Sequence, residues 1–312
     1  MKVSLVSING IYTTEQTHWI THMIEYIKLL RPQQWCKNLF IFLPIFFAQS
    51  IGDVDRLLSC CLAFVALCLA SSSIYIINDW NDADFDRMHP QKCHRPIASG
   101  SVSVRNAFIL YSFLIILCAG IIVYFFPSQH MILLFGIYLV LNHLYSFVLK
   151  YIPLVDIFIV AFNFVLRIII GATAAAVTPS HWIIIMTFLL ALFLVMTKRR
   201  DDVVKYEKTG IITRYNITVF NRQFLDLSLT LVAAVTLVSY IMYTVDPEII
   251  QRFDCNYVYS TTIFVLAGIL RYLQLTLVDE KGWSPTKIIM HDRFLQLCVV
   301  GWLALFAFII YA

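Results

Sequence analysis

The sequence predicts an all-α, polytopic membrane protein of about nine transmembrane helices, and three observations carry that expectation. Of its 312 residues, 60% are hydrophobic and 13% charged, and the mean hydropathy is +0.78. That composition excludes an ordinary soluble domain and a disordered chain. The apolar residues gather in runs of about 20, the length a helix needs to cross a hydrocarbon core about 30 Å thick. The 23 lysines and arginines fall almost entirely at alternate ends of those runs.

Taken in order, the spans are expected at residues 38–51, 56–77, 106–126, 130–149, 153–177, 181–197, 224–245, 257–278 and 294–311. The first is short as a strictly apolar run, so its helix is expected to begin near Gln34. Residues 1–27 open on polar side chains, including Thr13, Thr14, Glu15 and Gln16. Residues 1–17 lack the apolar core of a cleavable signal. Residues 1–27 read as a cytoplasmic or interfacial N-terminal segment, ahead of a single transmembrane domain at 28–312.

Basic residues set the orientation. Lys28, Arg31 and Lys37 precede the first span; Arg87, Lys92, Arg95 and Arg105 lie between the second and third. Lys150 lies between the fourth and fifth, and seven more, from Lys198 to Arg222, lie between the sixth and seventh. Arg271, Lys281, Lys287 and Arg293 lie around the last connection, whereas only Arg56 and Arg252 fall on the opposite side. The excess of Lys and Arg marks the cytoplasmic face, so the N-terminus is expected inside and the C-terminus outside an inner (plasma) membrane. The net charge of +4 then reflects topology and not a nucleic-acid partner. Eight cysteines show no CxxC or Cys/His ligand spacing and mostly sit in apolar runs, where Cys behaves as a small hydrophobe.

The chemistry is concentrated where the second span ends. Asn78, Asp79, Asp82 and Asp86 are followed at once by Arg87, His89, Lys92 and Arg95. A charge at a helix centre in a bilayer costs about 2.5–3.5 kcal/mol on insertion scales, so such groups are kept where they meet water, a metal or a charged substrate. If the helix continues past Asn78, the three aspartates share one face at i, i+3 and i+7. Adjacent carboxylates repel unless a cation lies between them. Mg²⁺ suits that place, because it takes one or two carboxylates and completes its octahedron with phosphate oxygens and water. Lys92 and Arg95 then read as phosphate partners, Arg with a bidentate grip. A solvated loop obeying the charge rule is the bland alternative; the regular Asp spacing beside a basic block favours a Mg²⁺–diphosphate site.

Further polar groups gather on the same predicted face. Lys37 enters the first span beside Trp35, and Tyr145 and Lys150 end the fourth. Asp156 enters the fifth span and needs a partner, such as Lys150 or a metal. Lys198 and Arg199 end the sixth, and His291-Asp292-Arg293 precedes the ninth, where a structural role is expected. Arg167 lies within the fifth span, about 21 Å along it; it either reaches a buried cavity or snorkels outward.

With these residues in place, the chain resembles the UbiA superfamily of intramembrane transferases, and within it the polyprenyl-phosphate phosphoribosyltransferase branch. The superfamily signature NDxxDxxxD stands as Asn78, Asp79, Asp82 and Asp86. The branch pattern DRxHPxKxxRPIAxG runs from Asp86 to Gly100, and LRPxQWxKN runs from Leu30 to Asn38. The resemblance extends from about residue 28 to the end. The chain departs from aromatic prenyltransferases of the superfamily in lacking a second DxxxD after the sixth span, where Lys198-Arg199-Arg200-Asp201-Asp202 stands instead.

The resemblance implies a helical bundle with a polar cavity facing the cytoplasm. The implied reaction is transfer of 5-phosphoribosyl from phosphoribosyl pyrophosphate to a decaprenyl- or undecaprenyl-type polyprenyl phosphate, releasing pyrophosphate. It implies Mg²⁺ on Asp79, Asp82, Asp86 and, as a second-site candidate, Asp156, with Asn78 orienting them or the sugar. Lys37, Lys92 and Arg95 are expected on phosphates, Lys198 and Arg199 on the sugar 5-phosphate or the lipid phosphate, and Tyr145 and Lys150 in the pocket wall. An aromatic prenyltransferase using a prenyl diphosphate and a lipid transporter are the competing readings. A homo-oligomer is compatible with the composition, because lipid-facing and protein-facing apolar surfaces look alike in sequence.

Overall fold

The protein is described by a computed structural model covering residues 23–90, 92–210, 212, 216–279, 288 and 290–311. Most of the expected N-terminal interfacial segment, together with Arg214, Lys281 and Lys287, lies outside the described residues. Among the described residues there is no strand. Eight long helices follow one another: α1 (Val54–Asn81), α2 (Val104–Phe125), α3 (Gln129–Phe147), α4 (Val155–Ala174), α5 (His181–Thr209), α6 (Arg222–Thr244), α7 (Thr262–Leu277) and α8 (Arg293–Tyr311). Each is long and apolar enough to span a bilayer, α7 when taken with the 3₁₀ turn Val258–Thr261 before it.

The first expected span is helical in a different form. Pro32–Phe42 is a 3₁₀ helix that passes into a short α-helix, Leu43–Phe47. Pro44 stands in the first turn of the α-helical piece, where its missing N–H is one of the donors a helix start leaves open anyway. At about 2.0 Å per residue for 3₁₀ and 1.5 Å for α, the two pieces have a contour of about 30 Å, a bilayer's worth in fewer residues.

Capping side chains fix where the helices begin. Asp53 Oδ1 accepts from Asp55 N (3.1 Å) and Arg56 N (3.2 Å) at the start of α1. Ser128, Ser180 and Asn221 accept from Met131 N, Ile183 N and Phe224 N at the starts of α3, α5 and α6. Each satisfies one of the donors a helix start leaves open. The sequence ended the sixth span at residue 197, but α5 runs on to Thr209. No Gly or Pro interrupts the charged stretch until Gly210 closes it at φ +67°, a left-handed cap.

The chain divides into two compact units, residues 1–36 with 66–120 and residues 37–65 with 121–312. In the first, Leu29, Ile76, Ala83, Ile97, Val102, Ala107 and Leu114 form one apolar core. That core fixes the end of α1, the basic segment after it and the start of α2. In the second unit α3 to α8 pack largely in chain order, with α5 lying against both α4 and α6. Its core includes Ile157, Ala161, Phe193, Met196, Leu225, Leu229, Tyr272 and Leu275. The 3₁₀ segment comes so close to α4 that a Cβ on Gly171 would overlap the Ile41 carbonyl. On α2, α3 and α8, large apolar side chains such as Ile116, Leu133, Val140 and Phe308 stay exposed, as helices facing lipid tails require.

Arg167 resolves in favour of the interior. It is 6% exposed. Its Nε donates to Asn38 Oδ1 (2.9 Å), Nη1 to the Asn163 carbonyl (2.7 Å) and Nη2 to Tyr138 Oη (3.2 Å). The guanidinium lies 5.5 and 5.2 Å from the Tyr138 and Phe164 ring centroids, within cation–π range. Asn142 Nδ2 donates to Asn163 Oδ1 (2.6 Å). A polar lock thus ties the 3₁₀ segment, α3 and α4 together within the second unit, and Arg167 does not snorkel.

Candidate active site

In the first unit, α1 carries Asn78 and Asp79 in its last turn. The helix breaks locally at Asp82 and resumes as the short helix Ala83–Arg87, which carries Asp86. The i→i−4 pattern nevertheless continues across the break: Asp82 N donates to the Asn78 carbonyl (3.0 Å) and Asp86 N to the Asp82 carbonyl (2.8 Å). The expectation of one shared face is therefore met in part. Asp79 and Asp86 turn inward and are each 1% exposed, whereas Asp82 is half-buried and accepts from Asn78 Nδ2 (3.3 Å).

The inward pair is held by arginine. Arg95 Nη1 donates to Asp86 Oδ2 (2.6 Å) and to Asp79 Oδ1 (3.2 Å), bridging the two carboxylates. Arg31 Nη2 bonds the same Asp79 Oδ1, and its guanidinium lies 5.0 Å from the Tyr75 ring centroid. Asp79 Oδ2 and Asp86 Oδ1 remain buried without a hydrogen-bond partner. Buried polar atoms are seldom left so. Two hard, negatively charged oxygens in want of a partner fit a hard divalent cation such as Mg²⁺. Among the described residues the carboxylates are not gathered into a ready three-donor cage; the space between Asp79 and Asp86 is bridged by the Arg95 guanidinium. Lys92 stands on the turn that follows, with Nζ 5.6 Å from the Phe85 ring centroid, and His89 Nδ1 accepts from Lys92 N (3.3 Å).

In the second unit, Asp156 sits in the first turn of α4, just after Leu154 at φ +64°. The sequence offered Lys150 or a metal as its partner; the structure supplies Arg199. Arg199 Nη2 lies 2.9 Å from Asp156 Oδ2 and Nε donates to Oδ1 (3.3 Å). The arrangement is bidentate, and both side chains are at most 5% exposed. The neighbouring Lys198 is exposed instead. Consecutive residues on a helix point about 100° apart, so the two cations expected to act together face different surroundings. Lys150 lies in the 3₁₀ turn Leu149–Tyr151, with Nζ 5.3 Å from the Tyr151 ring centroid and its carbonyl accepting from Asn216 Nδ2 (2.7 Å). Tyr145, near the end of α3, and Lys37, in the 3₁₀ segment, are both half-buried.

Sequence reasoning missed two arginines. Arg31 counted only towards topology, yet it shares Asp79 with Arg95; its place in the LRPxQWxKN run was the available signal. Arg200 is 1% exposed, donates from Nε to Asp226 Oδ1 (2.5 Å) and from Nη1 to the Thr276 carbonyl (2.7 Å). It fastens α5 to α6 and α7, a pairing no local pattern announces. Asp292 behaves as expected of a structural group: it caps α8 through Leu295 N (2.9 Å) and accepts from Arg271 Nη2 (2.7 Å).

Comparison with known proteins agrees with this architecture. The chain matches the UbiA prenyltransferase family over residues 38–291. It is 31% identical over 300 residues to a decaprenyl-phosphate phosphoribosyltransferase of Mycolicibacterium smegmatis, covering 91% of this chain and 92% of that one. It is 30% identical over 280 residues to the Corynebacterium glutamicum enzyme so described, covering 88% and 83%. Among solved structures, a UbiA homologue from Archaeoglobus fulgidus bound to GPP and Mg²⁺ superposes with a TM-score of 0.68 at 20% identity, over 92% of this chain and all of the other. This multi-pass membrane protein therefore belongs to the UbiA prenyltransferase family of transferases.

Proposed function

We propose that the protein transfers 5-phosphoribosyl from phosphoribosyl pyrophosphate to a polyprenyl phosphate at the cytoplasmic face of the membrane, releasing pyrophosphate. The observation that carries this reading is about 30% identity to decaprenyl-phosphate phosphoribosyltransferases over roughly nine-tenths of the chain. The run that stands where a second DxxxD would be expected supports it over an aromatic prenyltransferase, because it lacks that second carboxylate pair and leaves Lys198 exposed for an additional 5-phosphate.

In this reading Asp79, Asp82 and Asp86 hold Mg²⁺, with Asn78 steadying Asp82. Mg²⁺ bound there supplies Lewis-acid stabilisation of the charge that develops on the departing pyrophosphate. Lys37, Lys92 and Arg95 bind phosphate oxygens. Lys198, exposed at the charged end of α5, takes the sugar 5-phosphate or the lipid phosphate, while Arg199 holds Asp156 in place towards the ribose hydroxyls or a second cation. Tyr145 and Lys150 contribute to the pocket wall. The acceptor phosphate is already an anion, so no strong base is required. Rate acceleration then comes from positioning and electrostatics, with inversion at C1 of the ribose. The active site and the N-terminus face the cytoplasm, as the distribution of basic residues requires.

The test is transfer of radiolabel from phosphoribosyl pyrophosphate to polyprenyl phosphate by the purified protein, with and without Mg²⁺, beside D82N. A labelled lipid that needs Mg²⁺ and is lost in D82N is the expected result. Folded protein giving no product with acceptors of several lengths would overturn the reading, and prenyl diphosphates with aromatic acceptors would be tried instead.

A further inference from the structure

We infer that Arg95, supported by Arg31, is a latch over the Asp79–Asp86 pair that makes divalent-cation binding depend on the arrival of a diphosphate. The inference rests on the reading that these carboxylates bind the cation. It adds an order to that binding and a residue that enforces it.

Burial shows which groups lie outermost. The side chains of Asp79 and Asp86 are each 1% exposed, whereas those of Arg31 and Arg95 are 22% and 26% exposed. The arginines thus form the outer layer and the carboxylates the inner one. Arg95 Nη1 bridges Asp86 Oδ2 and Asp79 Oδ1, and Arg31 doubles the hold on Asp79 Oδ1. Charge is nearly balanced in this arrangement, two guanidinium groups against the buried Asp79 and Asp86 and the half-buried Asp82. A divalent cation entering alone would put four positive charges against three negative ones and press directly on the two guanidinium groups already paired with Asp79 and Asp86, so the closed latch opposes it. The oxygens that would receive it, Asp79 Oδ2 and Asp86 Oδ1, are present and unpartnered, but they lie beneath the guanidinium groups.

A diphosphate reverses the balance. It offers Arg95 the bidentate oxygen pair that guanidinium prefers and brings the negative charge the cation lacks. Arg95 would turn from carboxylate to phosphate, and Asp79 and Asp86 would be freed to hold the cation. Cation and diphosphate then bind cooperatively, and linkage requires each to tighten the other by the same factor. The empty enzyme is kept from holding metal in a form that serves no transfer.

The experiment measures Mn²⁺ binding to the detergent-purified full chain by electron paramagnetic resonance of free Mn²⁺, with and without inorganic pyrophosphate. Wild type is compared with R95Q, R95K and D79N. For wild type the expected result is weak binding that pyrophosphate tightens by about tenfold or more, in the ordinary range of coupling between sites. In R95Q, binding without pyrophosphate tightens by about tenfold and the pyrophosphate effect shrinks towards unity. R95K, which keeps the charge but not the planar fork, moves the same way by less and carries the test if R95Q does not fold. Equal pyrophosphate dependence in wild type and the Arg95 variants would overturn the latch while leaving the metal site standing. Absence of any Mn²⁺ binding removed by D79N, with pyrophosphate present, would instead overturn the metal-site reading and the latch with it.

Discussion

Replacing Asp156 with asparagine keeps the shape of the side chain and removes its charge, leaving Arg199 buried beside a neutral amide. At the observed 2.9 Å contact, two unit charges attract by about 6 kcal/mol at an effective dielectric of about 20. Each ion, however, gave up several kcal/mol of hydration on burial, so the pair itself contributes little net stability. Removing one partner is different, because the desolvation of the other is left uncompensated, at a typical cost of about 3–5 kcal/mol. Asp202, 4.0 Å from Arg199 Nη1, offers partial relief and puts the expectation near the lower end, about 3 kcal/mol. For a chain of this size that is a fall in Tm of about 5 °C. Thermal unfolding in detergent, followed with a thiol-reactive dye that reports exposure of the buried Cys60, Cys68, Cys118 and Cys298, measures it. R199M should cost a similar amount, and the double variant D156N/R199M no more than either single one, because its second substitution removes the stranded charge. A D156N Tm within about 1 °C of wild type, or a double variant as low as the sum of the singles, would refute the argument.

Three further outcomes follow from the same geometry. G171A should cost well over ~1 kcal/mol of stability and lower Tm and yield, because its Cβ would overlap the Ile41 carbonyl, and backbone cannot step aside as a side chain does; G301A should be milder, since the atom in its way, at 2.5 Å, belongs to the Phe264 ring edge. R167M should cost about 2–4 kcal/mol by leaving Asn38 Oδ1, the Asn163 carbonyl and Tyr138 Oη short of a donor, with R167K recovering part of it; equal Tm values for R167M and wild type would remove the polar lock. Membrane-impermeant maleimide applied to intact cells should label a variant whose sole cysteine is Cys255 and spare one retaining only Cys93, each half-buried in its loop; the reverse pattern would invert the proposed topology.

Much of the molecule is legible in the sequence because a bilayer imposes a one-dimensional rule. Each span must be apolar for about 20 residues and satisfy its own backbone hydrogen bonds, so eight long helices could be placed from composition, and Asp53, Ser128, Ser180 and Asn221 cap starts that hydropathy alone places within a few residues. Local spacing likewise put Asn78 and Asp79 at the end of α1 and Asp82 and Asp86 just beyond it, and brought Lys92 and Arg95 directly after them. The shape of the first apolar run was less legible, since hydropathy does not distinguish a 3₁₀ path over Pro32–Phe42 from an α one.

The tertiary structure alone decided which charges meet. Hydropathy and spacing say that Asp156 needs a partner, but the choice of Arg199 over Lys150 depends on the packing of α5 against α4. The same holds for Arg167, which either end of its span could have claimed until Asn38 and Tyr138 enclosed it. It holds again for Arg31, which shares Asp79 with Arg95 across 48 and 16 residues of chain. Helix formation is local and follows from residues three and four apart, whereas a buried charge takes as its counterpart whatever group the packing of distant segments brings within reach. That pairing is a property of the folded chain, and it turns a run of aspartates and arginines into carboxylates held beneath a guanidinium layer.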